Sequence, residues 1–459
     1  MNKSLYKSDF LSFRFSPVLL AAVKKAGYHK ATDVQLETIP AVLEGKDVLV
    51  RAETGSGKTA AYVLPLLERL IDRKKQDQGK QDPQFKDSDN SRGNSVHILV
   101  LVPTRELAIQ IREVFEQFSE HFESQLKCLS VYGGVKINPQ MMALRGGADI
   151  LVATPGRFLD LENQNAIKLN RLKTLVVDEA DRLMKGDFKD EINRIYKMLP
   201  NKRQNLMFTA TFPESIRTLV REMMNKPVII NIDETLENVT IEQRVITVNH
   251  EKKNDLLAYL LNEYVWKQVL VFCSAKKTCD NLVNKLEKRG INAVAMHGNQ
   301  QQNARAAGLR DFKSGKIPIL VATDVAARGI DIEQLPCVIN YDLPRSPNDY
   351  IHRIGRTGRA GESGLAISLI SHHEYQHFGV IEKRNDIRLE REQIKGYEAD
   401  KKVPPPPASS KSKRKANLAR KKNTSKNKKL YGSIQPERKQ LQEKSKEKQP
   451  AVNAHIWGR

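Results

Sequence analysis

The sequence predicts an α/β protein of two tandem parallel-sheet domains followed by a disordered basic tail. Short apolar, β-branched runs alternate with helical patterns, the mark of a parallel sheet covered on both faces. The alternation occurs twice, in two series separated by a charged stretch at 230–240 that has few large apolar residues. The charge is also uneven: Lys401–Arg459 hold 18 Lys/Arg against 3 Asp/Glu, so +15 of the whole chain's +22 sits in that tail.

Strands of the first series are expected at 47–50, 97–102, 149–153, 172–177 and 206–209. Those of the second are expected at 244–248, 269–272, 293–296, 317–321, 337–340 and 365–369. The resulting division is an N-terminal segment 1–38, a first domain 39–230, a linker 231–240, a second domain 241–390 and a tail 391–459. Residues 74–95 are rich in Lys, Gln, Asp, Gly and Ser, with too little apolar content to offset ordering entropy, and read as a long surface loop. In the tail, Pro404, Pro405, Pro406 and Pro407 form a stiff punctuation before a Lys/Asn/Ser-rich stretch that only Leu430, Tyr431, Ile456 and Trp457 interrupt.

Composition narrows the function classes. Hydrophobic content of 40% with 28% charged residues is that of a globular chain, and no apolar run approaches the ~18 residues of a membrane helix. The apolar patch at 17–23 follows Arg14 and runs into Lys24 and Lys25, so it reads as an amphipathic helix rather than a secretion signal, and a cytoplasmic location is expected. Cys128, Cys273, Cys279 and Cys337 form no Cys-x-x-Cys pair, which favours buried thiols over a disulfide framework or a zinc site. A basic tail without an apolar helical face favours nucleic acid over membrane, because cationic chains release the counterions condensed on a polyanion.

Three motifs carry chemistry. After the first strand, Ala52, Glu53, Thr54, Gly55, Ser56, Gly57, Lys58 and Thr59 read A-E-T-G-S-G-K-T and lead into a helical pattern. Glycines let backbone N–H groups approach phosphate oxygens, and the helix N-terminus adds its positive dipole end. Lys58 is placed for the β and γ phosphates and the Thr59 hydroxyl for Mg²⁺; Ala52 stands where the common pattern has its first Gly. The acids of V-V-D-E-A-D directly follow an apolar strand: Asp178 is a candidate Mg²⁺ ligand, Glu179 a candidate base for an attacking water, and Asp181 lies three residues on. Such acids also cap helices, and it is their partnership with the phosphate loop that favours catalysis. In H-R-I-G-R-T-G-R, from His352, Gly355 and Gly358 argue against an ordinary helix interior, and Arg356 and Arg359 are candidates to stabilise charge on a γ-phosphate.

Together these motifs resemble the DEAD-box RNA helicases, over about residues 10–390, and the basic tail suggests a bacterial, RhlE-like member. Further family motifs follow in order: P-T-R-E-L-A at Pro103, G-G at Gly133, T-P-G-R at Thr154, V-F-C-S at Val271 and A-T-D-V-A-A-R-G-I-D at Ala322. The resemblance implies two RecA-like domains with ATP between them and single-stranded RNA across both. It implies that Gln35 and Thr32 select the nucleotide, Phe10 stacks on the base, Asp331 binds the ribose, and His352 joins an interdomain network. Backbone contacts to RNA fall to Pro103, Thr104, Arg105, Gly133, Gly134, Thr154, Gly156, Arg157, Arg305, Thr323 and Asp324. Contacts of that kind position a strand without reading its sequence.

Departures from the family pattern are specific. Thr209-Ala210-Thr211 replaces Ser-Ala-Thr but keeps the hydroxyl, so coupling through Asp181, Thr209 and Thr211 is expected to survive. Ala31 and Asp33 stand where prolines are common, which loosens the loop before Gln35, and R-L-M-K-G-D-F after Asp181 is a less common continuation. The implied activity is ATP-driven local unwinding of RNA or remodelling of ribonucleoprotein. The alternatives are a slow ATP-gated RNA clamp, a DNA helicase, and a catalytically dead binding protein. Ribosome assembly, messenger decay and cold adaptation all fit the resemblance, which identifies no protein partner.

Overall fold

The computed structural model describes residues 10–52, 55–79, 93–184, 188–232, 241–327, 332, 335–358 and 364–400. The first lobe carries β1 (Val48–Arg51), β2 (Val96–Leu101), β3 (Cys128–Val131), β4 (Ala148–Ala153), β5 (Thr174–Val177), β6 (Gln204–Thr209) and β7 (Val228–Asn231). They form one sheet in the order β3-β4-β2-β5-β6-β1-β7. The second lobe carries β8 (Ile241–Thr247), β9 (Val269–Cys273), β10 (Ala293–Met296), β11 (Ile319–Thr323), β12 (Cys337–Asn340), β13 (Gly364–Ile370) and β14 (Arg391–Glu392), in the order β10-β11-β9-β12-β13-β8-β14. Every pairing in both sheets is parallel.

Both faces of the first sheet are buried, which is why its strands read as continuous apolar runs. In β1, Val48 and Val50 enter the core on one face with Phe115 and Phe118, while Leu49 enters the other with Phe158 and Leu175. Each such side chain removed from water contributes on the order of 2 kcal/mol, so the sheet holds the loops at its C-terminal edge in fixed relative positions.

Several boundaries differ from expectation. β3 and β7 were not foreseen: β3 is only four residues long with two half-buried, and β7 has one buried position of four, so neither shows a strong apolar run. Because β7 pairs with β1, Ile230 and Asn231 belong to the first sheet rather than to the hinge, and residues 233–240 of the linker lie outside the described residues. The second domain runs past residue 390: β14 pairs with β8, Arg244 meets Glu392 at 2.7 Å, and Asn249 Nδ2 donates to Asp400 at 2.8 Å. Residues 391–400 are therefore domain rather than tail, and 401–459 lie outside the described residues. The expected loop at 74–95 is in part the end of the helix Lys58–Gly79, and Ser95 bridges to Lys168. The helix foreseen at 17–23 is Pro17–Lys25, and the four cysteines are buried thiols. No helix among the described residues is long and apolar enough to cross a membrane.

Candidate functional site

The phosphate loop hangs between β1 and the helix Lys58–Gly79, anchored where Ala52 N–H donates to Thr209 C=O at 3.1 Å. Gly55 and Gly57 have φ of 78° and 90°, the left-handed region that side chains avoid. Gly57 is doubly constrained, since a Cβ there would lie 2.6 Å from Gln35 Nε2 and 2.9 Å from Thr32 Oγ1. These two residues brace the loop. Thr32 Oγ1 donates to Ser56 C=O at 2.8 Å, and Gln35 Nε2 donates to Gly57 C=O at 3.2 Å while its Oε1 accepts from Thr32 N–H at 3.1 Å. The polar groups expected to choose the nucleotide are thus spent on the shape of the phosphate loop. Phe10 is a clearer correction: its ring is 3% exposed, packed edge-on against Phe13 and Tyr28, and presents no face for a base in this structure. Lys58 Nζ donates to Ala52 C=O at 2.6 Å, and Glu53 and Thr54 lie outside the described residues.

Asp178 emerges from β5 directly beneath this loop and is buried. Tyr62 O–H donates to its Oδ2 at 3.1 Å and is itself in hydrogen-bond contact with Thr59, so the two candidate Mg²⁺ ligands share one neighbour. Burial first, and then the adjacent Glu179 charge, push the Asp178 carboxyl up to about 6, with Lys58 opposing. A buried carboxylate next to a second one, with one lysine for compensation, suits a divalent cation, so this donor set fits Mg²⁺. Glu179 sits at φ 50°, and Arg182 Nη1 donates to its Oε2 at 2.9 Å. Arg182 has no role in the motif reading, although its i,i+3 spacing from Glu179 was the available signal.

Asp181 is the junction. Its Oδ1 is 3.2 Å from Thr209 Oγ1 and its Oδ2 accepts from Thr211 Oγ1 at 3.0 Å. Thr209 Oγ1 also lies 2.6 Å from Thr211 C=O, and with one hydroxyl proton it serves one of the two acceptors at a time. On the second lobe, burial and the positive field of Arg182, with Asp181 opposing, lower His352 to about 4. The imidazole is therefore neutral at physiological pH and lies in the field of both first-lobe residues, as expected of an interdomain network.

Among the arginines, Arg356 is buried just beyond the helix Pro347–Ile354 and its C=O accepts from Leu335 N–H at 3.1 Å. Arg359 and Asp331 lie outside the described residues. Arg353, unassigned from sequence, is 1% exposed; its Nε and Nη2 grip the Asp324 carboxylate at 2.6 and 2.7 Å, and Nη1 reaches Asn340 Oδ1 at 3.0 Å. That corrects Asp324: its carboxylate locks the loop after β11 to the arginine motif instead of facing RNA, while Thr323 ends β11 buried beside it.

The remaining RNA candidates gather at the C-terminal ends of β2, β3 and β4. Pro103 precedes Thr104, whose Oγ1 caps the helix Arg105–Ser119 by accepting from Leu107 N–H at 3.3 Å. The Arg105 guanidinium lies against Gly134, where a Cβ would clash, and Gly133 adjoins it. Thr154 caps the helix Pro155–Asn163, its N–H donating to Val131 C=O at 3.0 Å, and Gly156 leaves room for Glu191. Two guanidiniums are corrected. Buried Arg157 donates to Val135 C=O at 2.8 Å and so braces the Gly-Gly loop. Arg305, from the second lobe, pairs with Glu106 of the first at 2.8 Å, and Gln302 Nε2 donates to the same carboxylate at 3.2 Å. Glu106, missed from sequence, is the first-lobe half of this bridge.

Known proteins agree with this arrangement. The DEAD/DEAH box helicase profile matches residues 32–219, and the helicase conserved C-terminal domain profile matches residues 251–361. The ATP-dependent RNA helicase CshA of Listeria monocytogenes is 39% identical over 83% of this chain and 70% of its own length. The CshA of Bacillus subtilis is 37% identical over 83% and 73%. Saccharomyces cerevisiae Dbp5 bound to RNA and ADP BeF3 superposes with a TM-score of 0.71 at 28% identity, covering 84% of this chain and 96% of that one. With the phosphate loop, the acidic junction and the arginine motif set on two RecA-like sheets, and with relatives of this coverage, the chain belongs to the DEAD-box family of ATP-dependent RNA helicases.

Proposed function

We propose that this helicase uses ATP-dependent closure of its lobes to separate short RNA duplexes or strip RNA–protein complexes locally, without long translocation. The observation that carries the reading is Asp181. One carboxylate is hydrogen-bonded to Thr209 and Thr211, adjoins the hydrolytic acids, and is felt electrostatically by His352 of the other lobe. A change at the phosphate site is thereby transmitted to the lobe boundary.

In the cycle, Lys58 and the N–H groups of the glycine loop hold the phosphates of ATP. Thr59 and Asp178 would hold Mg²⁺, which supplies neutralising charge for the phosphates. Glu179 takes the proton of the attacking water, and Arg356 and Arg359 stabilise the charge on the γ-phosphate, an effect of order 10³ to 10⁵ in comparable enzymes. ATP and RNA together favour the closed arrangement only because that state binds both better than the open one does. The tail adds RNA affinity through counterion release, and the protein works in the cytoplasm.

A slow clamp is the second reading, and the Glu179–Arg182 pair favours it, because a carboxylate stabilised by a guanidinium is a weaker base. Steady-state ATP hydrolysis decides, measured without nucleic acid and with single-stranded RNA, duplex RNA or DNA of matched sequence. Strong stimulation by RNA alone supports the helicase cycle. Equal and negligible turnover in all four, with ATP still bound, selects the clamp, and equal stimulation by DNA rejects RNA selectivity.

A further inference from the structure

The two sheets share one strand order, since adding seven to each label of the first reproduces the second. β8 therefore answers to β1, β12 to β5 and β13 to β6, and the helix Lys253–Tyr264 answers to the helix Lys58–Gly79. At the C-terminal ends of these second-lobe strands opens a cavity of about 810 Å³, in the position that holds the nucleotide site in the first lobe. Open α/β sheets bind ligands in this crevice, beyond the strand ends where the order reverses.

The floor of the cavity is internally satisfied. Asn249-His250-Glu251-Lys252 replaces the glycine loop and contains no glycine. Lys253, the counterpart of Lys58, is fully buried, with Nζ 2.6 Å from Glu374 Oε2 and 2.9 Å from Tyr341 C=O. Asp342, beyond β12, accepts from Ser274 N–H at 2.9 Å and from Ser274 O–H at 3.0 Å. Glu374 thus occupies the lysine that a phosphate would need, and this lobe cannot cradle a triphosphate as the first does.

The mouth differs. Lys285 and Arg345 line it as exposed cations with no carboxylate partner among the described residues, against one unpaired acid, Glu251. Thr278 and Asn281, on the same face of the helix Lys276–Glu287 as Lys285, add neutral hydrogen-bonding groups. A concave site of this volume suits a ligand of about mononucleotide size, and its excess of free cations selects a phosphate or similar anion.

We propose that this cavity is a second ligand site, separate from the hydrolytic one, that binds a phosphorylated small molecule of about mononucleotide size, with its phosphate held by Lys285 and Arg345. The test is equilibrium binding of AMP to the full chain, with the first site filled by one equivalent of a non-hydrolysable ATP analogue and Mg²⁺. The full chain is expected to bind one AMP. Binding should weaken at least tenfold in Lys285→Ala/Arg345→Ala, while the analogue's affinity stays unchanged, and adenosine should bind at least tenfold more weakly than AMP. Both substitutions are at exposed positions, and an unchanged melting curve verifies folding. Absence of AMP binding at millimolar concentration, equal binding to the double variant, or adenosine binding as well as AMP would each overturn the proposal. The helicase reading stands or falls separately, on RNA-stimulated turnover of the unsubstituted chain.

Discussion

Replacing Arg305 by Met keeps an apolar stem and removes the guanidinium from Glu106, isolating a carboxylate at the lobe boundary. The two side chains are 5% and 7% exposed and their charged atoms lie 2.8 Å apart. At an effective dielectric of about 20 their Coulomb attraction is roughly 6 kcal/mol, most of it cancelled by desolvation. Burial lowers the Arg305 pKa while Glu106 opposes the shift, which shows the same two terms in competition. Removing one partner of such a pair costs about 3 to 5 kcal/mol, because the survivor stays buried without compensation. When the lobes part, Glu106 returns to water, so the cost falls on the closed state. At about 3 kcal/mol the closed population drops on the order of 10²-fold. RNA-stimulated ATP hydrolysis over a range of RNA concentrations reads this as a large rise in half-saturating RNA, a fall in maximal rate, or both. Glu106→Gln supplies the control, since it weakens RNA coupling if the ion pair matters and leaves it unchanged if Arg305 simply contacts RNA. The double variant should recover part of the loss, with a coupling of about 2 kcal/mol in the mutant cycle. Single variants within twofold of the unsubstituted protein in both parameters would refute the latch.

Other consequences are as direct. Glu179→Gln should retain ATP and RNA binding and lose turnover by at least a hundredfold; turnover near normal would remove Glu179 from the base role. His352, lowered to about 4 from an ordinary 6.5, makes the folded chain bind fewer protons than the unfolded chain between those values. Its contribution is therefore intact above about pH 6.5 and is lost as pH falls toward 4, amounting to about 2 kcal/mol at pH ~5. Urea melts at the two ends of that range should show His352→Asn losing less stability on acidification than the unsubstituted chain. Gly57→Ala sets a Cβ against Gln35 and Thr32 at a φ of 90°, so nucleotide affinity in a fluorescence titration should fall at least tenfold. Ending the chain at Asp400 should leave ATP hydrolysis by the core while lowering RNA affinity and flattening its salt dependence; an unchanged salt slope would exclude the tail from RNA binding.

Chemistry that depends on contiguous residues was readable from the chain itself. A-E-T-G-S-G-K-T and V-V-D-E-A-D each place their functional groups on one strand end, so the order of residues already implies the strand-to-loop geometry that Gly57 and Asp178 display. The two lobes were likewise legible, because a parallel sheet buried on both faces must be written as repeated apolar runs. Short strands were not, since β3, β7 and β14 contribute too few buried positions to show a period. What only the tertiary structure decided is how charged side chains are spent. Arg353 and Arg356 are three residues apart in one motif, yet Arg353 is locked to Asp324 and Asn340 inside the second lobe. Arg305 is committed to Glu106, Gln35 to the phosphate loop, and Phe10 to an aromatic cluster. Whether a guanidinium, an amide or a ring faces a ligand or the protein depends on partners far away along the chain, and local sequence carries no record of them.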